Sequence, residues 1–339
     1  MDSAVRGPGG PDPEDVTRRI DFVPPPLLAA AMGAQHGCFS AGQAYGAGFN
    51  RGQVQRLRTA GMLVSVRRGV YAIAVAYEAV AHEQRHVVDA QAALLMLRAD
   101  TTLSHVSAAA WCGLPLLRPD LRTVHVTRPV LKASRTEAGI HHHPGALPAG
   151  HCSQVDGVGV TSDARTAVDI ARNGTFAQGL AAVDSAIRAG TPHDEVRDVL
   201  FFCASWTGSR GASRAVACGD GRAANPGESW SRAVLLDAGL APTHLQVPLH
   251  DIDGLVGYAD FGWLSWMVLG EFDGRDKYGA TPEQMASAIW AEKLREDRLR
   301  ALGYEVVRWT WADLRSPERV AARILAARAR SIARGVAVA

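Results

Sequence analysis

The chain has 339 residues, 47% apolar and 21% charged, and its 36 Lys and Arg against 34 Asp and Glu leave a formal net charge of +2; this is the make-up of an ordinary globular protein of two or three domains. Its 5 cysteines are scattered without a Cys-x-x-Cys pair, which argues against a disulfide framework and a structural zinc site. No stretch approaches ~20 consecutive apolar residues and the first residues carry no apolar run, so neither a membrane span nor a secretory leader is expected, and the protein is expected in the cytoplasm.

Residues 1–25 are polar and rich in Pro and Gly, the composition of a disordered tail. A short helix is predicted over 27–34. Ser40 is placed to cap a second helix that Gly46 and Gly48 break, and Asn50 to cap a third over 51–60, closed by Gly61. Residues 63–74 alternate around Arg67-Arg68-Gly69, the pattern of a two-stranded ribbon with a tight turn. Three short helices and a ribbon predict a winged helix-turn-helix over 26–76. From Phe22 to Tyr77 there is no Asp or Glu, yet Arg51, Arg56, Arg58, Arg67 and Arg68 all lie there. Spacings of four and three put Arg51, Gln55 and Arg58 on one helical face, with Val54 and Leu57 turned inward. Arg and Gln pair bidentately with guanine and adenine edges in the major groove, and Arg67 and Arg68 at the ribbon tip would reach phosphate or the minor groove. Double-stranded DNA is therefore the expected partner.

Residues 77–221 mix helix and strand and are read as a mixed α/β middle domain. Helices are predicted over 82–99, 104–111, 161–172 and 176–188, and strands over 123–128 and 139–143. His141-His142-His143, with His151 and Cys152 nearby, raises a metal site. Successive strand residues alternate faces, so at most two of the three converge, and a surface strand is expected instead. His105, at a helix start, is read as a structural hydrogen-bonding residue. The Gly, Asn and Pro of 219–227 read as a linker.

The run RRGVYAI resembles the N-terminal winged-helix domain of the AbiEi-like antitoxins of type IV toxin–antitoxin systems. LSHVSAAAWCGLPL and VTSDARTAVDIA resemble the middle of that group of actinobacterial proteins, so that the resemblance spans about 26–190. It implies a non-enzymatic regulator that represses its own operon and counters a partner, a nucleotidyltransferase-like toxin.

Residues 222–339 are predicted as helix, three strands, helix, strand, helix: the order is αβββαβα over 228–238, 244–250, 254–263, 265–273, 281–302, 304–310 and a tail from 317. Long helices between strands imply a sheet with helices on its faces. Between Asn225 and Asp273, Glu228, Asp237, Asp251, Asp253, Asp260, Glu271 and Asp273 face only Arg232. Asp260, Glu271 and Asp273 fall on neighbouring strands, where carboxylates are costly to bury without a positive partner. A divalent cation such as Mg²⁺, which takes oxygen ligands, is the natural one. Asp260, ten residues, then Glu271-Phe272-Asp273 resembles the PD-(D/E)XK nucleases, and more narrowly their very-short-patch-repair (Vsr-like) branch. That resemblance implies a restriction-endonuclease-like αβββαβ domain. In it Asp260 and Glu271 would hold Mg²⁺ or Mn²⁺, with Glu228 as the additional acid. The ion would polarise a phosphate and help to deprotonate water. The departure is Asp273 at the family's Lys position; Lys277, or else Lys293 or Arg295, would have to supply the missing cation. Trp263, Trp266, Trp309 and Trp311 are read as core residues. No Walker A, GxGxxG or GxSxG motif is present, which leaves nucleotide hydrolysis and serine hydrolase chemistry without support. Two functions remain open: a DNA-binding, metal-dependent endonuclease, or an antitoxin-type regulator whose tail is a scaffold.

Overall fold

The computed structural model describes residues 22–97, 101–274 and 282–335. The chain divides into two units, the first ending at Thr101 and the second beginning at Thr102.

Local hydrogen bonding shapes the first unit. It runs α1 (Pro26–Gly33), β1 (Cys38–Ser40), α2 (Ala41–Gly46), α3 (Arg51–Thr59), β2 (Leu63–Arg67), β3 (Val70–Ile73), α4 (Ala74–Ala79) and α5 (His82–Leu94). Ser40 and Asn50 open α2 and α3 with full capping boxes. Each cap side chain accepts the backbone N–H of the third helical residue, Gln43 or Gln53, whose own side chain accepts the N–H of the cap. Gly69, at φ 76°, makes the turn between β2 and β3. The three strands form an antiparallel sheet in the order β1-β3-β2. Leu28, Phe39, Ala44, Val54 and Leu63 form a core on one side. Cys38, Val70 and Ala72 form another with Val88 and Ala92 of α5. The expected boundary at 76/77 thus falls inside this unit, because α5 covers part of the sheet. Strand β1 was not expected; three residues are too few to show alternation.

The second unit holds two sheets. The first has six strands: β4 (Thr102–Leu103), β5 (Val124–Thr127), β6 (Arg135–Glu137), β7 (Ile140–His143), β8 (Cys152–Val155) and β9 (Val158–Thr161), in the order β6-β7-β5-β4-β9-β8. The pairs β5–β7 and β4–β9 are parallel. Strand β7 lies between two others, with His142 only 3% exposed, so the expected surface strand is an interior one. With this sheet go α6 (His105–Trp111), α7 (Asp163–Asn173), α8 (Phe176–Arg188), α9 (His193–Phe202) and α10 (Ser209–Ala217), joined by a core that includes Ala109, Val168, Val183, Val196 and Val216.

The chain then continues as α11 (Pro226–Asp237), β10 (His244–Asp251), β11 (Gly254–Trp263), β12 (Val268–Asp273), α12 (Pro282–Ala301), β13 (Glu305–Thr310) and α13 (Pro317–Ala333), the αβββαβα order expected. The sheet order is β10-β11-β12-β13, antiparallel except for the parallel pair β12–β13 that α12 connects. Helices α11 and α13 pack with Phe261, Trp263 and Trp309, while Leu299 of α12 packs with Val247, Leu249, Ala259 and Leu269. Gly270 is required beneath Trp309, since a Cβ there would lie 2.5 Å from the indole. The stretch expected as a linker is instead packed. A Cβ on Gly219 would meet Val183 at 2.5 Å, and Asp184 of α8 accepts from Arg232 of α11 at 2.7 Å. All 8 tryptophans of the chain lie in this second unit.

Candidate functional site

In the first unit, Arg51, Gln55 and Arg58 are exposed along α3, as is Arg56. Arg58 Nη1 donates to Gln55 Oε1 at 3.0 Å, and Gln55 Nε2 to Thr59 Oγ1 at 3.4 Å, which lines the polar groups up along one face. Val54 is buried and Leu57 packs on the same core. Arg68 is exposed at the turn. Arg67 departs from the expectation of a free tip residue: it is half-buried, and its Nε donates to the Asp89 carbonyl on α5 at 3.2 Å. The two arginines are adjacent in sequence but have different surroundings.

In the second unit, the expected metal-binding acids separate into two environments. Glu228 sits in the first turn of α11. Its Oε2 accepts from Ala224 N at 2.7 Å and from Gln246 Nε2 at 3.0 Å, and its Oε1 from Asn225 Nδ2 at 2.7 Å. Gln246 Nε2 also lies 3.3 Å from Asp260 Oδ1, and Phe272 N donates to Asp260 Oδ2 at 2.8 Å. The Gln246 amide therefore bridges the two acids. Its backbone adopts φ 49°, left-handed for a residue with a Cβ. At this point β10 and β11 exchange faces: Leu245 and Phe261 join the α11–α13 core, whereas Val247 and Ala259 join the α12 core. Burial, reinforced by the charge of Asp260, pushes the Glu228 carboxyl up to about 7.

Glu271 has the opposite character. It is 8% exposed, and it accepts from Arg295 Nη2 at 2.5 Å and from Arg308 Nε at 2.8 Å. Burial alone would raise its pKa, but the two guanidinium groups outweigh that and hold it below the usual carboxylate range. Arg308 stands in register with Glu271 across the parallel pair β12–β13, and its Nη1 also meets Glu296 of α12 at 2.5 Å. Asp273 ends β12, half-buried. Lys277 lies outside the described residues. Lys293 is exposed, with its ammonium 5.9 Å from the centroid of the Trp290 ring, and Arg295, besides Glu271, donates to the Tyr258 carbonyl at 2.9 Å. So the fold brings Glu228 and Asp260 together and gives Glu271 two arginine partners. Gln246 and Arg308 escaped the sequence reading, because only strand register places them beside these acids.

A third charged group lies in α7. Asp169, fully buried, accepts from Arg165 Nε at 2.8 Å and from Arg172 Nη1 at 2.9 Å. Both guanidinium groups lie over the Trp206 ring, at 4.7 and 5.0 Å. They also donate to the carbonyls of Ala146 and Thr207, at 3.0 and 2.8 Å, which ties two loops to the helix. These residues belong to the VTSDARTAVDIA stretch and its surroundings, and their partnership is that of an internal clamp.

Comparison with known proteins bears on this middle region. Two uncharacterized proteins of Mycobacterium tuberculosis, MT2308 and Rv2248, are each 30% identical to the chain over 187 residues, 55% of this chain and 66% of their own length. The crystal structure of the RV2827C protein from the same species gives a TM-score of 0.38 at 15% identity, over 66% of this chain and 87% of that one. A family described as the AbiEi antitoxin C-terminal domain matches residues 101–216, which begins later than the expected span and runs on through α9 and α10. From the start of the six-stranded sheet to the last turn of α10, the chain is therefore similar to the AbiEi antitoxin C-terminal domain.

Proposed function

We propose that the protein is a DNA-binding regulator of the AbiEi antitoxin kind, and that its C-terminal sheet is a scaffold of nuclease-like descent without nuclease chemistry. The domain match over 101–216 is the observation that carries this reading. The first unit supports it. Its helices and ribbon follow the order of a winged helix-turn-helix, and α3 offers Arg51, Gln55 and Arg58 to a major groove with Arg68 beside it for phosphate. A nucleotidyltransferase-like toxin is the partner that the antitoxin reading implies. The test has two arms. The purified chain should retard duplex DNA taken from upstream of its own reading frame, with affinity that falls steeply with salt. Co-expression should restore growth to cells that produce the neighbouring toxin. Failure of both arms would remove the reading.

The endonuclease reading rests on the Glu228–Gln246–Asp260 group, two acids bridged by a single side-chain amide. Against it, a Mg²⁺ or Mn²⁺ ion recruiting Glu271 would have to displace Arg295 and Arg308, and a buried carboxylate with two guanidinium partners gives them up at a cost of several kcal/mol, ~3–5 for a broken buried pair. Incubation of plasmid DNA with the wild type and Asp260→Ala in Mg²⁺ or Mn²⁺ should yield no nicking by either. Cleavage by the wild type that Asp260→Ala abolishes would establish the enzyme instead.

A further inference from the structure

A cluster of histidines sits in the six-stranded sheet, in a part of the second unit separate from the carboxylates. His125 of β5 and His143 of β7 lie on neighbouring parallel strands, where His125 pairs with His141 and Thr127 with His143. His105 opens α6; it is 4% exposed, and its backbone is left-handed at φ 54°. That conformation is costly for a residue with a Cβ and tends to persist where the surroundings demand a particular side-chain position. The His105 ring stacks on His143 with centroids 3.8 Å apart, and His125 Nδ1 lies 2.9 Å from His143 Nε2. Among the described residues, one ring nitrogen from each of the three falls within 4.8 Å of the other two.

Neighbouring histidines are otherwise engaged. His141 shares the face of His143, but its two nitrogens lie 2.7 Å from Ser134 Oγ and Thr136 Oγ1. His142 points to the opposite side of the strand and is buried.

We propose that His105, His125 and His143 bind one divalent transition-metal ion of the Zn²⁺ class, with a fourth coordination position open to an adjoining cavity. Three imidazole nitrogen donors suit Zn²⁺, Co²⁺, Ni²⁺ or Cu²⁺ and disfavour Mg²⁺ and Ca²⁺, which take oxygen. Ser104 Oγ lies 3.0 Å from His105 Nδ1, which orients that ring and leaves Nε2 as the ligand atom, the usual arrangement of a metal-binding histidine. Binding requires the His143 ring to rotate out of its stack, so that the three nitrogens stand ~3.3 Å apart around an ion ~2.0–2.1 Å from each. The cavity, of about 200 Å³, is bordered by His105 and His125 and walled by Leu116, Pro119, Ile170 and Gln178. It has room for a water or a small anion as fourth ligand. Arg165 and Arg172, whose charges both reach His105, share the single carboxylate of Asp169, and the surplus positive charge favours an anion there.

The test uses the full-length chain purified without a histidine tag, stripped with a chelator and titrated with Co²⁺ and then Zn²⁺. One Co²⁺ per chain should bind and give the visible absorption of a four-coordinate site, bleached by Zn²⁺ and untouched by Mg²⁺. His125→Ala and His143→Ala, checked for native fold by circular dichroism, should each weaken binding by at least ~10²-fold, and Ser104→Ala by ~10-fold. His141→Ala and His151→Ala should leave stoichiometry and affinity unchanged. If His105→Ala fails to fold, the two strand variants carry the test. No cobalt band in the wild type would overturn the proposal. So would stoichiometric binding that survives in the His125→Ala/His143→Ala double variant, because the ion would then sit elsewhere.

Discussion

At the scale of single residues, Glu228 and Glu271 show how two buried carboxylates of one domain acquire opposite titration behaviour. Glu271 is stabilised as an anion by Arg295 and Arg308, whereas Glu228 has burial and the nearby Asp260 charge against it. A glutamate ordinarily titrates near 4.5, and Glu228 does so at about 7. Between these values the folded protein holds a proton that the unfolded chain has released. The contribution of this group to stability is therefore complete below pH 4.5 and is lost as pH rises through 7. Replacing Asp260 by Asn removes the second cause of the shift and keeps an acceptor for Phe272 N. Asp260→Asn should bring the Glu228 titration down toward its ordinary range and flatten the decline of stability over that window. Carboxyl carbon NMR across a pH series would detect it; an unmoved Glu228 titration would mean that desolvation alone sets its value. The Arg165–Asp169–Arg172 clamp makes a second case. Asp169→Ala leaves two guanidinium groups without their shared counter-charge and should cost ~3–5 kcal/mol in chemical denaturation.

At the scale of elements, α3 and the β2–β3 ribbon separate two arginines that look alike in sequence. Arg68 is exposed at the turn, while Arg67 is held by the Asp89 carbonyl of α5. Arg68→Ala should reduce the slope of log affinity for DNA against log salt by ~1, one phosphate contact. Arg67→Ala should leave that slope nearly unchanged and lower the stability of the first unit. Equal slopes lost in both variants would place Arg67 on the DNA after all. The contrast also marks what was readable in the residue order. Ser40, Asn50 and the Gly61 stop announce α2 and α3 because a capping box is a contact over three residues. The αβββαβα order was readable for a similar reason, each period being local. Arg308 opposite Glu271 was not. That pairing depends on the register of two parallel strands joined through α12, and no pattern within either strand encodes it. Gln246 escaped for the same reason, compounded by a backbone conformation that its residue type does not advertise.

At the scale of the whole molecule, the second unit behaves as one body because α8 and α11 share buried polar groups. Asp184 receives Arg232 Nη1, Ser229 Oγ and Asp220 N, each at 2.7 Å, and Asp184 and Arg232 are 1% and 7% exposed. Arg232→Ala strands a buried carboxylate and should destabilise this unit by ~3–5 kcal/mol. The double change Asp184→Leu/Arg232→Met should recover much of that loss, since an apolar pair of similar volume often replaces a buried ion pair without penalty. Denaturant titration followed by tryptophan emission would decide; a double variant as unstable as the single one would mean that the remaining partners of Asp184 dominate. The placement of the indoles makes the same measurement useful beyond stability. Every tryptophan belongs to the second unit, so the first contributes no tryptophan emission. A duplex that touches only α3 and the ribbon would leave the emission spectrum alone. A ligand settling beside α6, which carries Trp111, or a protein docking near Trp206 would change it. Dye-labelled DNA and intrinsic emission could then be recorded together in one cuvette, each reporting a different event on the same chain.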